Sequence, residues 1–382
     1  MRTSFVGVML LACPLPLAAA TPSPNSKWPP VKRWEVRGHL EGEVKDGKVL
    51  GNVSGLACTG SAVGVRQCLV IDDELTSAQR VTIANRTMTS GSSVELVGAG
   101  QAIGAAPALN CDERKKPKDL DGEAVAESGG TFYVIGSHGC GRSGGAFRPS
   151  SFLIVRLSPA GRVDLSYRVS EGIQALPQVR DFFGKRLQEI AAKPADDEGP
   201  ATPARPDENG LNVEGMAVSN QRLWVGLRGP VVNCTAYVVS MDADAVFDAE
   251  GRLDSRAHAL ALDPDHGVRD LARLADGRML VLSGPRTNAG AGYSIWVFDP
   301  RSAAAPTKVH TFGPNEVSGK PEGLLVLAET PAGASVLVVQ DGPVDGDPRE
   351  IAIRIPPRAA TPAGKKGPGT ASPAACPAAS RS

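Results

Sequence analysis

The sequence predicts an all-β chain: a β-propeller of five blades, or six if a degenerate blade hides in one of its long gaps. Two observations carry that expectation. Glycine (43) and proline (31) punctuate 382 residues of which only 4% are aromatic. Such a composition suits many short strands joined by turns better than a helical bundle. In addition, one pattern recurs five times: an acidic or small residue, Gly or an acid, two or three apolar positions, a turn, then a strongly β-prone run.

The first copy is Val53-Ser54-Gly55-Leu56-Ala57, followed by Cys68-Leu69-Val70-Ile71-Asp72. The second is Leu120-Asp121-Gly122-Glu123-Ala124-Val125 with Phe132-Tyr133-Val134-Ile135-Gly136, and the third Val213-Glu214-Gly215-Met216-Ala217-Val218 with Leu223-Trp224-Val225-Gly226-Leu227. Val268-Arg269-Asp270-Leu271-Ala272 leads to Met279-Leu280-Val281-Leu282-Ser283, and Pro321-Glu322-Gly323-Leu324-Leu325-Val326 to Val336-Leu337-Val338-Val339-Gln340. Aligning Gly55, Gly122, Gly215, Asp270 and Gly323 gives spacings of 67, 93, 55 and 53 residues. Blades run ~40–50 residues, so these are blades with insertions.

The remaining elements follow in chain order. Residues 1–20 read as a secretion signal: Arg2, an apolar run from Phe5 to Leu11, and Ala18-Ala19-Ala20 ahead of a cleavage site. Leu10-Leu11-Ala12-Cys13 offers a lipoprotein signal as the competing reading. A linker spans 21–33, and the propeller spans 34–356. Its first strand, Trp34 to Gly38, belongs to no repeat and is expected to pair with the last blade and close the ring, removing two exposed edges. An insertion over 171–210 contains the one convincing helix, Pro177 to Ala192, with Val179, Phe182, Phe183, Leu187 and Ile190 on one face. Lys193 to Gly210 reads as a mobile surface loop. The Pro/Ala-rich tail, 357–382, reads as disordered. No stretch is apolar for long enough to cross a bilayer.

The charges sum to zero, 41 basic against 41 acidic, but they are unevenly placed. Residues 1–34 and 357–382 hold eight bases and no acid, which leaves 33 bases against 41 acids between them, a net −8. An acidic body disfavours nucleic acid and favours a cation or a small ligand; the plain alternative is a solvating surface. Six cysteines remain after the leader, an even number that suits disulfides in an exported chain. Cys58 and Cys68 flank a short turn, Cys111 and Cys140 form the next pair, and Cys234 and Cys376 are left. No Cys-x-x-Cys occurs, which argues against zinc.

In a propeller, sites gather where the inner strands and their loops converge. The repeats set Ser54, Asp121, Glu214, Arg269 and Glu322 at equivalent strand starts, with Asp72, Asp73 and Asp341 at strand ends. Asp121, Glu214, Glu322 and Asp341 are candidate ligands for Ca2+. Glu214, Glu123 and His138 are candidate acid/base groups. Arg228 and Arg286 could clamp an anion, with Asp121, Asp270 and Glu322 beside them as ligand-binding groups. The structural alternative is that each acid–Gly pair caps a turn and the arginines neutralise neighbouring carboxylates. Gly141-Arg142-Ser143-Gly144-Gly145 matches a hydrolase elbow in letters but lacks the strand–turn–helix context.

Together, Asn52-Val53-Ser54-Gly55-Leu56, Asp121-Gly122-Glu123, Asn212-Val213-Glu214-Gly215-Met216 with Gly226-Leu227-Arg228-Gly229-Pro230, Val268-Arg269-Asp270 and Pro321-Glu322-Gly323-Leu324 resemble the exported bacterial family known as domain of unknown function 3616. The resemblance covers roughly residues 35–356. It implies a propeller-like fold and no established activity. A more distant similarity to phytase-like esterase propellers implies calcium-assisted phosphoester hydrolysis, carried only at the level of fold. The expectation is therefore an exported, periplasmic or extracellular monomer that binds a small ligand or cation at the channel mouth. It is either a metal-assisted phosphoester or ester hydrolase or a non-catalytic binding or scaffold module of the cell envelope.

Overall fold

A computed structural model describes residues 30–358, apart from 46–47, 50, 61–63, 99, 110, 112, 115–119, 142–144, 195–200, 202 and 289–291. The leader, the tail from 359, Cys376 and part of the Gly141–Gly145 motif lie outside the described residues.

The β-prone runs pair as antiparallel meanders of four strands. The first unit contains Gly51–Cys58, Arg66–Asp72, Ser77–Ala84 and Thr87–Glu95, and the second Gly122–Ser128, Thr131–Gly136, Ile154–Leu157 and Val163–Ser166. The third contains Asn212–Ser219, Arg222–Val232, Thr235–Asp242 and Arg256–Ala261, and the fourth His266–Arg273, Met279–Pro285, Ser294–Phe298 and Thr307–Thr311. Lys320–Thr330, Gly333–Gly342 and Arg349–Arg354 make most of the fifth.

The first strands of the units pack side by side in a closed cycle, each touching the first strand of the unit before and after it. Five apolar clusters fill the gaps between consecutive units. Ile71 and Val134 share the cluster between the first and second, Ile135 and Val225 that between the second and third, and Trp224 and Val281 that between the third and fourth. Leu282 and Val338 share the cluster between the fourth and fifth, and Leu337 and Val70 that where the fifth returns to the first. Each unit therefore buries both faces of its inner strands, which is why those strands read as nearly continuous apolar runs. The protein is a β-propeller.

Ring closure differs from the sequence expectation. Lys32–Arg33 supply the fourth strand of the fifth unit, with Lys32 opposite Glu350. Glu35–Arg37 run the other way in allegiance, parallel to Thr87–Glu95 of the first unit. Trp34, between them, donates from Nε1 to Glu350 Oε2 at 3.2 Å. Trp34–Gly38 thus caps the first unit, and the two residues before it close the last.

The helix is also corrected. It occupies Arg168–Gln174, and the stretch 177–192 forms turns around a single short 3-10 segment, Arg180–Phe182. Gly184 has φ +79°, which ends any right-handed helix there. The apolar spacing is satisfied differently, because Val179 and Leu187 are buried individually against the ring. The later part of the insertion is anchored too: Ile190 and Arg205 exchange backbone hydrogen bonds, and the Asn209 side chain brackets Val231.

Two disulfides are described, Cys58–Cys68 and Cys111–Cys140, the pairs expected from spacing. Cys58 and Cys68 face each other across the first hairpin. Cys234 is also disulfide-bonded.

Candidate functional site

The register of the inner hairpins defines the site. In every unit the first strand carries one extra residue near its start: Ser54, Glu123, Glu214, Arg269 and Glu322 are each skipped in the ladder. Such bulges re-aim one side chain, and all five bulged residues are polar and buried. The residue after the bulge is Gly55, Ala124, Gly215, Asp270 or Gly323. At Gly55 no side chain fits, because a Cβ would sit 2.9 Å from the Val125 nitrogen of the next unit, whereas Asp270 spends its carboxyl on backbone N–H groups. The second repeat is therefore aligned two residues later than its sequence suggests. Glu123, not Asp121, is the counterpart of Glu214. Asp121 lies outside the bulge at φ +50°, accepting a hydrogen bond from the Ser137 hydroxyl.

Across the third, fourth and fifth units the bulged residues form a charge belt. Arg269, 1% exposed, donates to Glu214 and pairs with Glu322 Oε1 at 3.2 Å. Arg228, at the end of the neighbouring strand, donates to Glu214 Oε1 at 2.6 Å, to the Arg286 carbonyl at 2.7 Å and to Asn288 Oδ1 at 2.9 Å. Both Glu214 oxygens are thus held by guanidinium groups. Asp270 sits just beneath, accepting from the backbone N–H groups of Leu271 and Leu324 at 2.7 Å each and from that of Met216. One carboxyl therefore ties the inner strands of three units together.

Burial governs the protonation of this end. It pushes the Asp270 carboxyl well above the usual range, and it raises Glu322 to about 7 against the opposing pull of Arg269. Asp72 is likewise pushed up to about 7 by burial. His138, fully buried at φ +53°, is held down to about 4 by desolvation. Its Nδ1 lies 2.9 Å from the Gly136 carbonyl, and its Nε2 meets no partner. With Nδ1 carrying the proton, Nε2 is a bare acceptor.

The remaining sequence candidates lie around this belt. Arg286 pairs with Asp207 Oδ2 at 2.6 Å and Asp265 Oδ1 at 2.9 Å and donates to the Leu187 carbonyl, so it pins the insertion onto the ring. Asp341 accepts from Lys320 Nζ at 2.6 Å. Among the described residues, no group of three or more His, Cys, Asp or Glu side chains gathers so as to hold a metal ion. Asp121, Glu214, Glu322 and Asp341 instead meet Ser137, two arginines, Arg269 and Lys320 respectively.

The opposite end of the channel is open. A cavity of about 400 Å3 is lined by all five inner strands, including Leu56, Val125, Met216, Leu271 and Leu324, with Arg66 in its wall. Arg66 opens the second strand of the first unit but lies outside the recurring sequence pattern, and its hydrogen bonds go to backbone carbonyls. Nothing in its local sequence distinguishes it from a surface arginine.

A propeller ring with a buried Arg/Glu belt at one end of its channel is the class that fold and site define. Residues 201–350 match the family described as protein of unknown function (DUF3616). That span holds Glu214, Arg228, Arg269, Asp270 and Glu322, the whole belt. No curated protein matches the chain. Among solved structures, an exo-beta-1,3-galactanase from Phanerochaete chrysosporium is 8% identical with a TM-score of 0.40, covering 85% of this chain and 64% of that one. An endo-arabinase from Bacteroides thetaiotaomicron is 10% identical (TM-score 0.36; 81% and 95% covered). A putative 6-phosphogluconolactonase from Bacteroides fragilis is 13% identical (TM-score 0.33; 81% and 87% covered). The chain spans slightly less than two thirds of the galactanase.

Proposed function

We propose that the protein is an exported, five-bladed binding module that takes a small molecule into its central channel, entering from the end opposite the charge belt. The observation that supports this reading is the contrast between the two ends. At the belt, the carboxylates are buried and engaged by arginines, whereas the far end is a cavity of about 400 Å3, within the ~300–1,000 Å3 of small-molecule sites. Export is supported by the apolar run Phe5 to Leu11 followed by Ala18-Ala19-Ala20, and by the disulfides. The test is a thermal-shift screen of the intact chain against small molecules, repeated with Ala328→Trp at the exposed rim of the cavity. Ligands should raise Tm in the wild type and not in the blocked variant. Shifts that are equal in both would sink the channel reading.

A hydrolytic reading of the belt end has one observation in its favour, the partnerless His138 Nε2. In that reading Glu214, Glu123 and His138 act as acid/base groups and Arg228 holds an anion. Phosphomonoester, lactone or ester hydrolysis that is lost in Glu214→Gln and Arg228→Ala would replace the binding reading with this one.

A further inference from the structure

We propose that the open end of the channel recognises a small hydroxycarboxylate, a monoanion held by Arg66. The inference deepens the channel reading and rests on it. Five described arginines are at least nine-tenths buried: Arg66, Arg168, Arg228, Arg269 and Arg278. Four of them have a carboxylate in ion-pair distance, namely Glu171 for Arg168, Glu214 for Arg228 and Arg269, and Asp276 for Arg278. Arg66 is the exception among the described residues.

Its guanidinium does have a structural task. Nε donates to the Thr59 carbonyl at 3.4 Å, Nη1 to the Val326 carbonyl at 3.1 Å and Nη2 to the Cys58 carbonyl at 3.3 Å. Val326 borders a second irregularity in the ladder of its strand, so its carbonyl needs that donor. Three bonds use three of the five guanidinium N–H groups. Neutral carbonyls solvate the charge without cancelling it, and burial pulls the Arg66 pKa below its ordinary value, with Glu127 pulling the other way. A buried cation with no carboxylate in ion-pair distance is costly. An oxyanion entering the cavity would supply that counter-ion in the bidentate geometry that guanidinium favours.

The other charged groups narrow the ligand. Arg273, Glu127 and Glu329 share the lining with Arg66, so the four charges cancel and a dianion gains less than a monoanion. Glu127 and Glu329 each spend one oxygen on a turn amide, of Gly130 at 2.6 Å and Ala275 at 2.8 Å. Acceptor groups so placed suit hydroxyls on the same ligand.

Calorimetric titration of the intact chain with gluconate, glucose and inorganic phosphate tests this, using Arg66→Gln, Arg66→Lys, Arg273→Gln and Ala328→Trp. Gluconate should bind the wild type at least tenfold more tightly than glucose or phosphate. That affinity should fall at least tenfold in Arg66→Gln and in Ala328→Trp, and less in Arg66→Lys and Arg273→Gln. Melting curves identify any variant that fails to fold, and Arg66→Lys then decides the outcome by its affinity. Gluconate affinity unchanged by the Arg66 substitutions overturns the inference. So does glucose binding that Ala328→Trp abolishes and Arg66→Gln leaves alone, although the channel reading survives that result. If no probe binds, the inference is overturned; if binding survives Ala328→Trp, the channel reading itself fails.

Discussion

The first two units and the last three are held by different chemistry. Both described disulfides lie between residues 58 and 140, in the part of the ring where the bulged positions are Ser54 and Glu123. The last three units carry Glu214, Arg269 and Glu322 at those positions and join them through ion pairs. A disulfide restricts the unfolded chain wherever its loop closes. A buried ion pair that crosses units does something different: Arg269 makes the third and fifth units intolerant of losing the fourth, because Glu214 and Glu322 both pair with it. Cys234 of the third unit is disulfide-bonded as well, so the contrast lies in the ion pairs that cross between the last three units.

The sharpest way to break this contrast is Arg269→Met, which leaves Glu322 without its ion pair and Glu214 with Arg228 alone. Stability should fall by about 3–5 kcal/mol, read as a lower urea midpoint at unchanged slope. A loss under ~1 kcal/mol would mean that the belt is incidental. Replacing Cys58 and Cys68 together by Ser should cost about 2–4 kcal/mol. The two losses should add, because the sites share no partner; strong coupling between them would erase the distinction between halves.

The pH dependence separates the halves more gently. Glu322 and Asp72 retain protons to about 7 in the folded state, whereas the unfolded chain releases them near 4. Stability should therefore fall as pH rises from about 4 to 7 and level off above, and Glu322→Gln should flatten that slope. A slope unaltered in Glu322→Gln would remove Glu322 from the account. The smallest effect concerns ring closure. The Ser318 hydroxyl and Arg349 beside Asp347, and Arg86, Trp34 and Ser335 beside Glu350, hold these carboxyls below their usual range although burial opposes them. Their contribution is present near neutrality and is lost as pH falls through those low values. Arg86→Gln should weaken acid resistance slightly and leave the slope above pH 5 alone.

Much of the fold was legible because the inner strands bury both faces, so Val, Ile and Leu accumulate in runs that recur. Three of the five belt residues were legible from the same repeat: Glu214, Arg269 and Glu322 fall at matched places. The second repeat misled because Gly122 mimics the glycine that follows the bulge elsewhere, while Ala124 is small enough to serve there. The insertion misled because buried turns and a helix can show the same apolar spacing, and the φ of Gly184 decided between them. Arg66 was invisible because its placement depends in part on the Val326 carbonyl, 260 residues away in sequence, which no local pattern encodes.

The split allegiance of residues 32–37 has a further consequence. The two-residue strand that completes the fifth unit leads directly into the one that caps the first, and its partner, Arg349–Arg354, is almost the last part of the ring in sequence. No partial chain emerging from a ribosome or a membrane pore can form this junction. The final pairing joins the two most distant parts of the ring in sequence, the slowest kind of contact to establish. Until then the first and fifth units present open edges, the exposed surface through which unfinished β proteins associate wrongly. The same six residues act as a latch that only the whole molecule can fasten.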